Sequence, residues 1–241
     1  MSRIALVTGA DRGLGLGITT ILLEKGWRVY AGQYLPEWPE LRGLADRYPE
    51  HLTLLPLDVA STLSVLNAAQ IVSVTVDCVD MVVSNAGVGS PTSRRELGEN
   101  QDFDEMHRLF DVNSLGAIRV VEAFLPLTRP SDMKRLCFVS SEAGSIERST
   151  RISWFGYCMS KAALNMAVRN MFNYLRPQGY IFRLYHPGWI RSYMRGIKNT
   201  EGKLEPKEAA VPAVDYFLKE KDIESENRLV LRDYEGAEWP W

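Results

Sequence analysis

The sequence predicts a doubly wound α/β fold, a parallel seven-stranded sheet with helices on both faces, folded as a single domain over residues 1–241. Three observations carry that expectation. Short β-branched runs alternate with longer helix-like stretches, which is the pattern of βαβ units. Several runs are continuously apolar, as strands covered on both faces must be. A glycine-rich turn directly follows the first run.

The expected strands are Arg3–Thr8, Trp27–Gly32, Leu52–Leu57, Val79–Ser84, Arg135–Ser140, Ile181–Tyr185 and Arg228–Leu231. Between them, helical spacing places Ile18, Ile21 and Leu22 on one face, Val120, Val121 and Phe124 on another, and Leu164, Val168, Met171 and Leu175 on a third. These stripes are expected to pack on the sheet. The polar stretch Gly196–Pro206 reads as a loop, part of a short substrate lid at about 189–206.

Composition narrows the function. The chain has 241 residues, 46% hydrophobic and 24% charged, within the range of one globular α/β core. Net charge is -2 with no Lys/Arg block, so the basic footprint needed for nucleic acid is missing. Cys78, Cys137 and Cys158 show no metal-ligand spacing, and their odd number speaks against a disulfide framework. No metal is expected. The apolar run Ile4–Val7 is too short to cross a bilayer and leads into the glycine turn, so a cytoplasmic protein with no membrane partner is expected.

The turn Thr8-Gly9-Ala10-Asp11-Arg12-Gly13-Leu14-Gly15 joins the first strand to the first helix. Backbone N–H groups and the helix dipole attract an anion there, and glycines allow a phosphate to approach the backbone. Alone, the motif serves equally as a structural turn. Tyr157 and Lys161 stand one helical turn apart, so an ammonium can lie beside a phenol. A neighbouring cation favours the phenolate and lowers the tyrosine pKa, fitting Tyr157 for proton transfer. Ser140-Ser141 ends an expected strand where α/β folds open their ligand crevice. Asn113 falls in the middle of an expected helix, where a buried amide needs partners; a kink, a held water or a plain polar face all fit.

Together, Thr8-Gly9-x-x-x-Gly13-x-Gly15, Leu57-Asp58-Val59, Asn85-Ala86-Gly87, Asn113, Ser141, Tyr157-x-x-x-Lys161 and Pro187-Gly188 resemble the short-chain dehydrogenase/reductase family, in the correct order from Ile4 to Ser192. The segments His186–Met194 and Tyr234–Trp241 are similar to the C-factor-like and sniffer-like carbonyl reductases. The resemblance implies a Rossmann fold and an NAD(P)(H)-dependent oxidoreductase that moves hydride between nicotinamide and a carbonyl or secondary alcohol. Asn113, Ser141, Tyr157 and Lys161 would form its catalytic set: Tyr157 exchanges the proton, Ser141 binds the substrate oxygen, Lys161 binds ribose and tunes Tyr157, and Asn113 supports a relay water. Gly9, Asp11, Arg12, Gly13, Leu14, Gly15, Gln33, Asp58, Val59, Asn85, Ala86, Gly87, Pro187, Gly188, Ile190 and Ser192 would line the cofactor site with Tyr157 and Lys161. A homo-oligomer, dimer or tetramer, is the implied assembly. A dinucleotide-binding signalling or redox-sensor protein of the same fold is the rival reading.

Two departures matter. Ser84 replaces the family's usual first Asn before Asn85, and the stretch from Ser141 to Tyr157 is longer than usual, with its extra residues in Ser145–Ser153. That insertion leaves Ser140 and Ser141 both open as the catalytic serine. Ser141 is preferred, because relatives with a double serine use the second. Cofactor choice leans to NADP(H). Gln33 stands where NAD-preferring relatives carry an acid, and the Arg12 guanidinium is placed to fork onto a 2′-phosphate.

Overall fold

In the computed structural model, which describes all residues except Met1, Arg195, Ile197 and 221–224, the chain alternates strand and helix almost throughout. The order is β1 (Ile4–Val7), α1 (Gly13–Glu24), β2 (Arg28–Gln33), α2 (Pro39–Arg47), β3 (Leu52–Pro56), α3 (Thr62–Ser73), β4 (Met81–Ser84), α4 (Phe103–Phe110), α5 (Gly116–Thr128), β5 (Arg135–Val139), α6 (Phe155–Leu175), β6 (Ile181–His186), α7 (Pro206–Leu218), β7 (Leu231–Asp233) and β8 (Glu238–Trp239). The sheet order is β3-β2-β1-β4-β5-β6-β7-β8. Strand order reverses between β1 and β4, and the crevice beyond their carboxyl ends is where doubly wound folds take ligands.

Side-chain alternation divides the core between the two faces of the sheet. Leu6, Tyr30, Val82, Phe138 and Leu184 meet Val120, Phe124, Leu164 and Val168 on one face. Val7, Ala31, Val83, Cys137 and Tyr185 meet Ile18, Leu22, Ala213 and Phe217 on the other. Each fully buried large side chain contributes roughly 1.5–3 kcal/mol, so both helical layers are fixed by the sheet.

Among the described residues the sheet has eight strands, one more than the seven expected, and its seventh runs over Leu231–Asp233 rather than Arg228–Leu231. β8 pairs antiparallel with β7. The turn between them is made by Gly236 at φ +89 and by Asp233, whose carboxylate accepts the N–H groups of Glu235 (3.0 Å) and Ala237 (2.8 Å) and Nε1 of Trp239 (2.8 Å). A two-residue strand held by side chains carries no periodicity that sequence can show. Asn113 lies mid-helix as expected, in a π-turn, Asp111–Leu115, that joins α4 and α5 without a break.

Candidate active site

The crevice is organised by Thr8, where β1 ends. Its Oγ1 accepts the N–H groups of Asn85 (3.0 Å) and Ala86 (2.9 Å). Asn85 returns the contact, donating from Nδ2 to the carbonyls of Thr8 (2.9 Å) and Gly9 (3.1 Å). The exits of β1 and β4 are thereby stapled together. Gly9 and Gly13 hold φ of +61 and +59, the left-handed region that favours glycine. A Cβ on Gly15 would lie 2.1 Å from the Gly9 carbonyl oxygen, so the helix could not pack this closely on the strand with any other residue.

The turn fits a dinucleotide. Ser61 and Asp102 cap α3 and α4 with their side chains, whereas Arg12 gives α1 no such bond. The orphan N–H groups of the α1 first turn, which include Leu14, therefore remain for a ligand oxygen. At the end of β2, Gln33 Nε2 is buried without a partner among the described residues, which is costly unless something else occupies the site. Val59 lines the β3 exit, packed where Gly116 lets α5 approach, and Asp58 closes its own turn by accepting the Ala60 N–H at 2.9 Å. Ala86 backs onto Gly9, and Gly87 faces Asn113 Oδ1 and Lys161 Nζ.

Asp11 turns inward, 2% exposed, with its carboxylate 2.5 Å from Arg12. The Arg12 guanidinium also lies over the Trp38 ring, 5.1 Å from its centroid. It is not a free surface arginine. Beyond β6, Pro187 is buried and Gly188 adopts φ +76 against the Tyr234 ring. Ile190 bridges to Leu204, tying together the two ends of the 189–206 segment, within which Arg195 and Ile197 lie outside the described residues. Ser192 comes nearest to Gly13, Tyr193 meets Trp38 edge-on at 4.6 Å, and the Met194 carbonyl accepts the Gly89 N–H at 2.9 Å. The segment thus crosses the glycine turn.

The four residues expected to be catalytic converge at the exits of β4 and β5. Tyr157 and Lys161 lie on α6, with Lys161 Nζ 5.9 Å from the Tyr157 ring centroid. Lys161 is 3% exposed and donates to the Val139 carbonyl at 3.1 Å. Burial lowers its ammonium to about 8. Burial pushes the Tyr157 phenol up to about 12, while a hydrogen bond with the Ser141 hydroxyl pulls the other way. The phenol is thus raised rather than lowered as expected: desolvation is the largest influence on it and disfavours both charged forms, and Lys161 is not among the groups that move it.

The two serines separate clearly. Ser140 donates its hydroxyl to Asn165 Oδ1 at 2.6 Å, whereas Ser141 meets Tyr157. Asn113, 2% exposed, pairs with the Val88 backbone as a strand would: Oδ1 accepts the N–H at 2.8 Å and Nδ2 donates to the carbonyl at 3.0 Å. Its second Nδ2 hydrogen goes to Ser160 Oγ at 3.0 Å.

Several residues at the site carry no motif of their own. In the sequence Thr8 stands out only as part of the glycine turn, and Trp38, Ser160 and Asn165 carry no local signal, because their partners are remote along the chain. The insertion Ser145–Ser153 places Arg151 on Glu142 in a bidentate pair of 3.0 and 2.6 Å. Trp154, at φ +68, stands edge-on to Tyr157 at 6.0 Å. The longer loop therefore builds a wall beside the phenol without displacing Ser141.

The family model for short chain dehydrogenase matches residues 3–202. The chain belongs to the short-chain dehydrogenase/reductase family, and it is an NAD(P)-dependent oxidoreductase of that family. It is 38% identical to the C-signal protein of Myxococcus xanthus over 167 residues, covering 68% of this chain and 93% of that one. Among solved structures it is similar to a short-chain dehydrogenase/reductase of Burkholderia multivorans with bound NADP, at 26% identity and TM-score 0.86 with both chains covered 100%. It is likewise similar to the NADPH-bound carbonyl reductase from chicken fatty liver, at 25% identity and TM-score 0.86, covering 100% of this chain and 99% of that one. The Drosophila melanogaster carbonyl reductase Sniffer, 24% identical with TM-score 0.87 and full coverage of both chains, shares the fold. Among the described residues no helix is long and apolar enough to cross a membrane.

Proposed function

We propose that the enzyme interconverts a small carbonyl compound and its secondary alcohol with NADP(H), using Tyr157 as general acid and base. The observation that carries this reading is the convergence of Ser141 with Tyr157 beside the buried Lys161 ammonium, which lies 5.9 Å from the Tyr157 ring centroid. A bound nicotinamide supplies or accepts the hydride at the carbonyl carbon. In reduction, Ser141 orients the substrate oxygen and the Tyr157 hydroxyl delivers its proton there. In oxidation, the phenolate takes that proton back. The Lys161 ammonium stabilises the phenolate, and its reach to Gly87 suits a ribose hydroxyl in the same crevice. Because Asn113 spends its amide on Val88 and Ser160, a relay water would rest on its backbone carbonyl in the π-turn, a kind of bulge frequent at functional sites. Homo-oligomer formation fits the exposed Leu115, Ile118, Met159 and Met166 around α5 and α6.

The serine assignment has a direct test. Ser141→Ala should lower kcat by about a hundred- to a thousandfold, as for loss of one oxyanion donor, while Ser140→Ala, whose hydroxyl already serves Asn165, should cost far less. Equal losses, or the reverse order in steady-state kinetics, would refute the assignment.

The preference for NADPH over NADH rests on Arg12 and on the absence of an acid at Gln33. Asp11 and Trp38 hold the guanidinium beside the glycine turn, and a cleft of about 440 Å³ next to Arg12 and Trp38 leaves room for a 2′-phosphate. A hydrogen bond to a charged group is worth about 1.5–3 kcal/mol, so NADPH should be favoured roughly ten- to a hundredfold in kcat/KM. Arg12→Ala should erase most of that margin and leave NADH kinetics nearly unchanged. Better use of NADH by the wild type would overturn the assignment.

A further inference from the structure

One buried amide on α6 holds both flanks of the Ser141 turn. Asn165 is 5% exposed and stands one turn beyond Lys161, which itself follows Tyr157 by one turn. Its Oδ1 accepts the Ser140 hydroxyl at 2.6 Å, and its Nδ2 donates to the Gly144 carbonyl at 3.2 Å. Because a carbonyl can only accept, the amide has one orientation that serves both partners. Contact with Gly144 is close: a Cβ there would come within 2.8 Å of both Asn165 Nδ2 and the Lys161 carbonyl carbon. Lys161 adds a third tie through the Val139 carbonyl. Residues 139, 140 and 144 are thus all bound to α6, and Ser141, between them, keeps its hydroxyl for Tyr157. Within the turn Ser141 Oγ accepts only the Ala143 N–H at 3.1 Å.

We propose that Asn165 is a positioning residue for the reaction: by fixing Ser140 and Gly144 to the helix that carries Tyr157 and Lys161, it sets the distance and angle between the Ser141 and Tyr157 hydroxyls. The proposal rests on the assignment of Ser141 and Tyr157 above. Asn165 spends both of its polar atoms on the turn. Its effect falls on the proton step, because a misaligned Ser141 withdraws the hydrogen bond that pulls the phenol pKa down. Distances in such sites matter steeply, since a misplacement of about 1 Å can cost about a hundredfold.

The test is steady-state kinetics of Asn165→Leu, which keeps the volume and removes both bonds, alongside Ser140→Ala, which removes one. Asn165→Leu is expected to lower kcat by roughly ten- to a hundredfold, with KM for NADPH nearly unchanged. In alcohol oxidation its acid limb should move to higher pH, because the phenol loses a stabiliser of its charged form. Ser140→Ala should show a smaller change in the same direction, and the double variant should fall little further than Asn165→Leu alone, as coupled groups do. Should Asn165→Leu fail to fold, Asn165→Ser, too short to span both partners, serves the same comparison. A folded variant with wild-type kcat and pH profile overturns the proposal, whatever its melting temperature. So does an equal loss of catalysis and NADPH affinity, which would mark general damage to the crevice. Tyr157→Phe separates the two levels: if it stays active, the assignment beneath the proposal fails, and if it is inactive while Asn165→Leu is normal, only the positioning role fails.

Discussion

Tyr157→Phe should lower kcat by about a hundred- to ten-thousandfold, the usual contribution of general acid–base catalysis, and leave cofactor binding nearly intact. The substitution deletes the hydroxyl and keeps the ring, so the edge-on contact with Trp154 at 6.0 Å and the placement of Lys161 at 5.9 Å persist. Single-turnover rates report the proton step, and titration of cofactor fluorescence reports binding. Retention of most of the activity would remove Tyr157 from the mechanism. Because burial holds the phenol up at about 12, Tyr157 stays protonated at neutral pH in the cofactor-free chain, the form that reduction requires. In the proposed mechanism, Ser141 and Lys161 would stabilise the phenolate needed for oxidation.

The second large effect is expected at Lys161, where activity and stability should move in opposite directions. Lys161→Met should abolish most turnover and weaken NADPH binding, because both proposed roles of the ammonium are lost. The same change should stabilise the cofactor-free fold near pH 7. The ammonium is buried, and its folded value of about 8 lies below the ordinary 10.5. Between those values the unfolded chain binds more protons than the folded one, so this group makes stability rise with pH across that window. Below about 8 the full cost of burying the charge is present, roughly 3 kcal/mol at 1.36 kcal/mol per pKa unit. Losing the bond to the Val139 carbonyl offsets about 1 kcal/mol of the relief. Thermal melts of both proteins from pH 6 to 10, with no cofactor added, should show a Lys161→Met advantage of about 1–3 kcal/mol. That advantage should shrink above pH 8 as the wild-type amine sheds its proton. A variant less stable than wild type at pH 7 would mean that the buried charge is well compensated.

The sequence by itself determined the class of the fold, because its signals are local. Continuous apolar runs such as Leu6–Val7 and Val82–Val83 mark strands covered on both faces, and the stripe Leu164–Val168–Leu175 marks a helix packed on them. The glycine turn was readable for the same reason: φ near +60 at Gly9 and Gly13 is a property of single residues. One-turn spacing likewise put Tyr157 and Lys161 on one helical face before any packing was known.

Only the tertiary structure decided what depends on partners far along the chain. The sequence left Ser140 and Ser141 both open with Ser141 preferred; that the Ser140 hydroxyl is spent on Asn165, on another element, is visible only in the fold. The spacing of Tyr157 and Lys161 suggested a lowered phenol. Desolvation reversed the direction, because burial is set by everything packed around the pair, and it is the largest influence on both groups. Arg12 was legible as a cation beside the glycine turn, but that Asp11 and Trp38 hold its guanidinium is seen only in the fold. β8 exists because Asp233 gathers Glu235, Ala237 and Trp239 around one carboxylate. Backbone preference and hydrophobic period act over a few residues and leave a trace in the order of amino acids, whereas hydrogen bonds and desolvation act between neighbours in space, which only folding brings together.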